Sequence, residues 1–287
     1  MDPDRARLNQ VFERNYGRVA PHTLLMKAQV RSIFDRLVDV RGLPGDAIEF
    51  GAYQGGLSFF LGLCIKDLGL AKRVFMLDSF EGLPQTDPGL DGPFERGTMV
   101  SDARVVGELR SRFGLDDIVD IRPGWFEDSV RDLPGDARFC LAHLDADVYR
   151  STRVALEFLL PRLVEGGAVV LDDCVFPGAT GVIRAADEVL GTDQHLHLGP
   201  KTQAFVFPKG DPRPQRPAPV WRSLGGRRYD LADLLARTDY LELVRWEHAY
   251  YDDHAQWYRN YLDLLTGAAD GPESFRITDR IGLVRRE

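Results

Sequence analysis

From residue 46 the chain alternates short apolar runs with segments of helical length, and that alternation limits its fold more than any other feature. DAIEFGA (46–52), RVFMLDS (73–79), IVDIRPG (118–124), FCLAHLDAD (139–147) and AVVLDD (168–173) read as five buried strands. Between them stand YQGGLSFFLGLCIKDLG, DARVVGELRSRFG and STRVALEFLLPRLVEGG, with helical spacing; Gly166-Gly167 marks the expected stop of the last. Successive β–α units of this kind predict an α/β fold with a parallel, doubly wound sheet covered by helices. HLHLG (195–199) and QAFVFPKG (203–210) lie close enough to form a hairpin, which adds an antiparallel edge strand.

In open sheets of this class the ligand lies beyond the C-terminal ends of the strands. Those ends read Glu49-Phe50-Gly51, Asp78, Gly124, Asp145 and Asp147, and Asp172-Asp173. Nearly every one is a carboxylate or a glycine, and this is the strongest functional signal in the sequence. The first loop, EFGAYQGG (49–56), resembles a dinucleotide fingerprint, but Tyr53 takes the place of the second glycine. A side chain there obstructs the approach of a pyrophosphate. S-adenosylmethionine has no phosphate and needs only the turn and room at the helix start, and Glu49 suits a cationic ligand. Asp78, at the end of the second strand, is placed to accept both hydroxyls of a ribose. A tight turn without a ligand is the alternative for the loop, and a turn or cap acid for Asp78.

Asp145 and Asp147 stand two apart, and side chains at i and i+2 of a strand share a face. If the fourth and fifth strands pair, about 4.8 Å apart, their ends gather up to four carboxylates. Charge that dense calls for a cation, and hard oxygen donors favour Mg²⁺, with Mn²⁺ or Ca²⁺ as alternatives. Helix caps and loop acids are the competing reading, since Ser151 and Thr152 resemble a helix start. A metal beside a sulfonium methyl donor suggests O-methylation, with chelation acidifying the acceptor hydroxyl and a carboxylate outside the metal shell as base. His143 should point the same way as Asp145, as a second base, a metal neighbour or a buried structural histidine.

The formal net charge of −8 argues against nucleic acid or an anionic membrane as partner, and 44% apolar residues suffice for a sizeable core. Cys64, Cys140 and Cys174 are far apart and beside apolar runs, so reduced thiols in a cytoplasmic protein are expected. MDPDRARLNQ lacks the apolar core of a signal peptide, and no run of about 20 apolar residues predicts a spanning helix. Three regions follow: a helical or lid segment over 1–45, the ligand-binding domain over 46–210, and an aromatic-rich extension over 211–287, expected to be helical in LADLLART and EHAYYDDHAQWYRNYLDLL. The two histidines of the latter, and His195 and His197, do not form a zinc pattern. The polar loop 81–102 lies at the ligand edge and is expected to act as a lid that orders with cofactor.

PGDAIEFGAYQGG, LDSFEGLP (77–84), RPGWFEDSV (122–130), LDADVYRST and LVEGGAVVLDD occur in the order of the macrocin O-methyltransferase (TylF-like) family, which the chain resembles over roughly residues 20–210. The resemblance implies a class I methyltransferase fold with a seven-stranded sheet and an enzyme dependent on S-adenosylmethionine and Mg²⁺ (or Mn²⁺). Its acceptor would be a hydroxyl of a sugar or polyol-like small molecule in antibiotic biosynthesis; separately, a homo-oligomer (dimer) is expected. Glu49 and Gly51 would shape the methionine side of the cofactor site, with Phe50, Tyr53, Gly55 and Gly56 also at the cofactor. Asp78 and Ser79 would hold the ribose, with Gly124, Trp125 and Phe126 near the adenine and Asp145 also at the cofactor. Asp145, Asp172 and Asp173 would be the metal ligands and Asp147 the general base. Cys174 departs from the family, which often has an aromatic residue there. Alternatives are a methyltransferase acting on nitrogen or carboxylate without a metal, and a non-catalytic cofactor-binding relative.

Overall fold

The computed structural model describes residues 3–92, 94–174, 180–191 and 194–213, with short strands at 220–222, 228–230 and 285–286. The expected helices of the C-terminal extension fall outside the described residues. Two helices, α1 (Pro3–Val19) and α2 (Lys27–Val40), precede the sheet. Then come β1 (Asp46–Phe50), α3 (Gly56–Leu68), β2 (Val74–Asp78), α4 (Ala103–Phe113), β3 (Val119–Pro123), the one-turn α5 (Phe126–Ser129), β4 (Phe139–Leu144), α6 (Tyr149–Leu159), β5 (Leu163–Leu171), α7 (Gly181–Leu190), β6 (Leu196–Leu198) and β7 (Ala204–Val206).

The strand order is β6-β7-β5-β4-β1-β2-β3. β1 to β5 run parallel, and β7 is antiparallel to both β5 and β6 at that margin of the sheet. Short strands β8 (Val220–Arg222), β9 (Arg228–Asp230) and β10 (Arg285–Arg286) extend the same margin beyond β6. The chain order reverses between β1 and β4, which opens the crevice where such sheets bind ligands.

Alternation along the strands divides the core in two. Ile48, Phe50, Phe75 and Leu77 face α6 and α7, while Ala47, Val74 and Met76 face α1, α2 and α3. Each fully buried large side chain, such as Phe50 or Phe60, contributes about 1.5–3 kcal/mol by leaving water. α2 belongs to this core, with Val30, Ile33, Phe34 and Leu37 buried on the sheet. All three cysteines are buried and none is in a disulfide among the described residues. No described helix is long and apolar enough to cross a membrane.

One boundary differs from expectation. The helix after the paired aspartates stops at Leu159, before Pro161, and not at Gly166-Gly167. Proline has no N–H to continue the ladder. β5 therefore begins at Leu163, and its register to β4 jumps from Phe139↔Leu163 to Leu141↔Ala168. Gly166, at φ +72, lies within that irregularity.

Candidate active site

The glycine loop is built by close approach. Gly51 has φ +85, and a Cβ there would lie 1.9 Å from the carbonyl oxygen of Asp145. Only glycine lets the β1 loop touch the β4 loop. Two residues on, Tyr53 adopts φ 51, the left-handed region that a glycine enters more easily. Asp78 holds this conformation: Oδ2 accepts the N–H of Ala52 at 2.8 Å and of Tyr53 at 2.7 Å, and Oδ1 accepts that of Phe80 at 2.6 Å. Burial pushes the Asp78 carboxyl up, and those three N–H groups oppose the shift. Asp78 thus shapes the loop from below while still lining the cavity.

A cavity of about 680 Å³ lies over these strand ends. Glu49, Gly51, Tyr53, Asp78, Ser79, Trp125, Phe126 and Asp145 all line it, as does the whole carboxylate cluster. Phe50, Gly55, Gly56 and Gly124 do not. Phe50 packs edge-on against Phe126 with centroids 5.3 Å apart, beneath the cavity wall. Gly55 and Gly56 start α3, where a Cβ on Gly56 would meet the His22 carbonyl at 2.5 Å. His143 does not reach the cavity either. It is fully buried, and its Nδ1 stands 3.4 Å from Glu49 Oε1 without hydrogen-bond geometry. Glu49 instead accepts the Ser58 hydroxyl.

Leu144 of β4 is level with Leu171 of β5, so the loops that follow leave the sheet side by side. Asp147 at φ 57 and Asp173 at φ 47 are both in the left-handed region. Such strain at non-glycine residues concentrates at functional sites. Asp145, Asp147 and Asp173 each offer a carboxylate oxygen within 4.8 Å of the others. Asp172 stands outside that trio but lines the same cavity, and Gln29 Nε2 donates to its Oδ1 at 2.9 Å and to its Oδ2 at 3.1 Å. Burial, then the charges of Asp172 and Asp147, holds the Asp145 carboxyl well above the usual range. Burial and the charge of Asp173 do the same to Asp147, which also hydrogen-bonds to Asp173. Asp173 is pushed up to about 6, chiefly by burial and then by Asp172.

Lys201 and Thr202 complete this corner from the β6–β7 turn. Thr202 Oγ1 donates to Asp173 at 2.9 Å, and the Lys201 ammonium favours the charged forms of Asp147 and Asp173. Sequence reasoning missed Gln29, Lys201 and Thr202. The signal for the last two was available: β6 runs parallel to β5, so its end also meets the ligand edge. Gln29 lies inside a helix and carries no such signal. Oxygen donors gathered at this spacing and short of counter-charge suit a hard divalent cation.

The loop between β2 and α4 covers one side of the cavity through Leu83, Pro84, Phe94 and Met99. It is pinned at two helix starts. Buried Asp91 accepts the N–H of Tyr149, first residue of α6, at 2.8 Å and that of Asp87 at 2.7 Å. The Leu90 carbonyl accepts N–H groups of Thr180 and Gly181 at the start of α7, at 2.7 and 2.8 Å. A hydrogen bond to a charged group is worth about 1.5–3 kcal/mol, so Asp91→Ala should raise local opening at least about tenfold. Trypsin cleavage at exposed Arg96 is expected to quicken accordingly, and rates equal to wild type would show that Asp91 is not the latch.

The model of the macrocin O-methyltransferase (TylF) family matches residues 18–193, more than half of the chain. The chain belongs to the macrocin O-methyltransferase family. Among curated relatives, this family member is 38% identical over 141 residues to the 8-demethyl-8-(2,3-dimethoxy-α-L-rhamnosyl)-tetracenomycin-C 4'-O-methyltransferase of Streptomyces olivaceus, covering 46% of this chain and 54% of that one. It is 32% identical over 176 residues to the demethyldecarbamoylnovobiocin O-methyltransferase of Streptomyces niveus, covering 56% and 66%. It is 30% identical over 171 residues to the mycinamicin III 3''-O-methyltransferase of Micromonospora griseorubida, covering 53% and 67%. The chain thus spans about half the length of the first of these relatives and about two thirds of the others. Among solved structures, the O-methyltransferase NovP aligns with a TM-score of 0.57 at 24% identity, over 65% of this chain and 81% of that one. The calicheamicin methyltransferase CalS11 aligns with a TM-score of 0.56 at 20% identity, over 72% and 93%. These two likenesses show the fold.

Proposed function

We propose that this macrocin O-methyltransferase family member transfers a methyl group from S-adenosylmethionine to a sugar hydroxyl of a natural product, in a reaction that depends on a divalent metal. The observation that carries the reading is the carboxylate cluster facing the glycine loop across one cavity. The relatives named for rhamnosyl-tetracenomycin and mycinamicin methylation support a glycosylated acceptor. A homodimer in the cytoplasm is part of the same proposal.

S-adenosylmethionine would supply the electrophilic methyl carbon and leave as a neutral thioether. Glu49, buried at the end of β1 beside the cavity, offers a negative charge to the cationic cofactor. The loop held by Asp78 gives the adjoining backbone a fixed shape, and Trp125 and Phe126 offer apolar faces for the adenine. Mg²⁺ or Mn²⁺, when bound, would supply counter-charge and polarise the acceptor hydroxyl. Asp145, Asp172 and Asp173 are the proposed holders of that ion. Asp147 is the proposed base: its raised proton affinity suits it to take the hydroxyl proton. Orientation in the cavity contributes further, on the order of several kcal/mol.

Calorimetric titration with S-adenosylhomocysteine tests the foundation. Saturable binding at one site per chain is expected, weakened by Asp78→Ala. The absence of any binding heat would end the methyltransferase reading.

A further inference from the structure

Gln29 is fully buried and sits three residues into α2, on the far side of the chain from the strand loops it reaches. Both ends of its amide are engaged. Oε1 accepts the N–H of Met26 at 3.0 Å, and Nε2 donates to both oxygens of Asp172, at 2.9 and 3.1 Å. This pattern fixes the amide orientation, since the flipped form would set an acceptor against a carboxylate and a donor against an N–H. Each Asp172 oxygen keeps a further lone pair for a cation. Immediately before Met26, Thr23, Leu24 and Leu25 line the cavity, and the Thr23 hydroxyl accepts the Leu25 N–H at 3.1 Å. One side chain therefore ties a wall of the cavity to an aspartate of the cluster.

We infer that Gln29 is a positioning residue that presets the Asp172 carboxylate for the metal and links it to the Thr23–Leu25 wall of the cavity. The inference rests on the metal-dependent reading above. Without Gln29, Asp172 would rotate freely, and the connection from Met26 to the site would be lost. Partners that orient metal ligands typically account for about 10- to 100-fold in metal affinity.

The test is a Mn²⁺ titration of the full chain, followed by calorimetry and by the paramagnetic resonance of free Mn²⁺, for wild type, Gln29→Met and Gln29→Leu. Both variants keep near-native volume and delete all three hydrogen bonds, and S-adenosylhomocysteine binding serves as the check on folding. The expected result in whichever variant folds is a Mn²⁺ affinity lower by about 10- to 100-fold, with S-adenosylhomocysteine affinity within about twofold of wild type. In addition, acceptor KM should rise more than kcat falls at saturating metal. A packing role alone would lower the melting temperature without moving Mn²⁺ affinity. Wild-type Mn²⁺ affinity in a folded variant overturns the role of Gln29 alone. A wild-type protein that binds no Mn²⁺ overturns the metal reading and this inference with it.

Discussion

Asp147→Asn is expected to lower kcat by about 100- to 10,000-fold while leaving S-adenosylhomocysteine binding near wild type. The substitution keeps the size and one hydrogen-bonding oxygen but removes the capacity to take a proton. Asp147 suits the role by environment. Burial and Asp173 hold its proton affinity high, while the Lys201 ammonium opposes them and keeps the charged form accessible. The left-handed φ of 57 is tolerated by asparagine, so the loop should keep its shape. Single-turnover kinetics with saturating cofactor separate this result from a binding defect. Rates within about threefold of wild type would exclude Asp147 as the base and turn attention to Asp145.

The second large effect concerns the metal. Excess EDTA is expected to cut turnover by at least about 100-fold, with full recovery on adding Mg²⁺. The same cluster should leave a signature in stability. In the metal-free protein Asp145, Asp147 and Asp173 all have raised proton affinity, so the folded chain binds more protons than the unfolded chain. Stability from these groups is complete below about pH 4, the ordinary carboxylate range. The share of Asp173 is lost as pH rises through about 6, and those of Asp145 and Asp147 are lost higher still. A cation reverses the penalty and competes with protons. The gain in melting temperature on adding Mg²⁺ should therefore widen from pH 5 to pH 7.5. A gain independent of pH, or activity untouched by EDTA, would remove the metal from the mechanism.

Much of this was legible in the sequence, for physical reasons that can be named. Strands buried on both faces must be apolar throughout, so β1, β2 and β4 stood out, and their polar ends marked the ligand edge. The β5 boundary was misread because Gly166-Gly167 resembles a helix stop, whereas Pro161 ends the helix earlier. The aspartate pair was read as two neighbours on one strand face. Both lie past Leu144, where the chain has left the strand, and Asp147 comes near Asp173 through a left-handed turn. The prediction of proximity held while its geometric reason did not. Gln29 was invisible because its contact with Asp172 spans 143 positions and joins a helix interior to a loop, with no local pattern on either side.

The starts of α6 and α7 bear on any attempt to exchange acceptor preference between relatives. Neither helix has a side-chain cap of its own; Asp91 and the Leu90 carbonyl serve them from the covering loop. A chimera that grafts a foreign loop over residues 81–102 would remove the caps of both helices as well as the cavity wall. The transplantable unit is thus the loop together with both helix starts. Shuffling experiments that move all three pieces together should yield folded catalysts where loop swaps alone yield unstable ones.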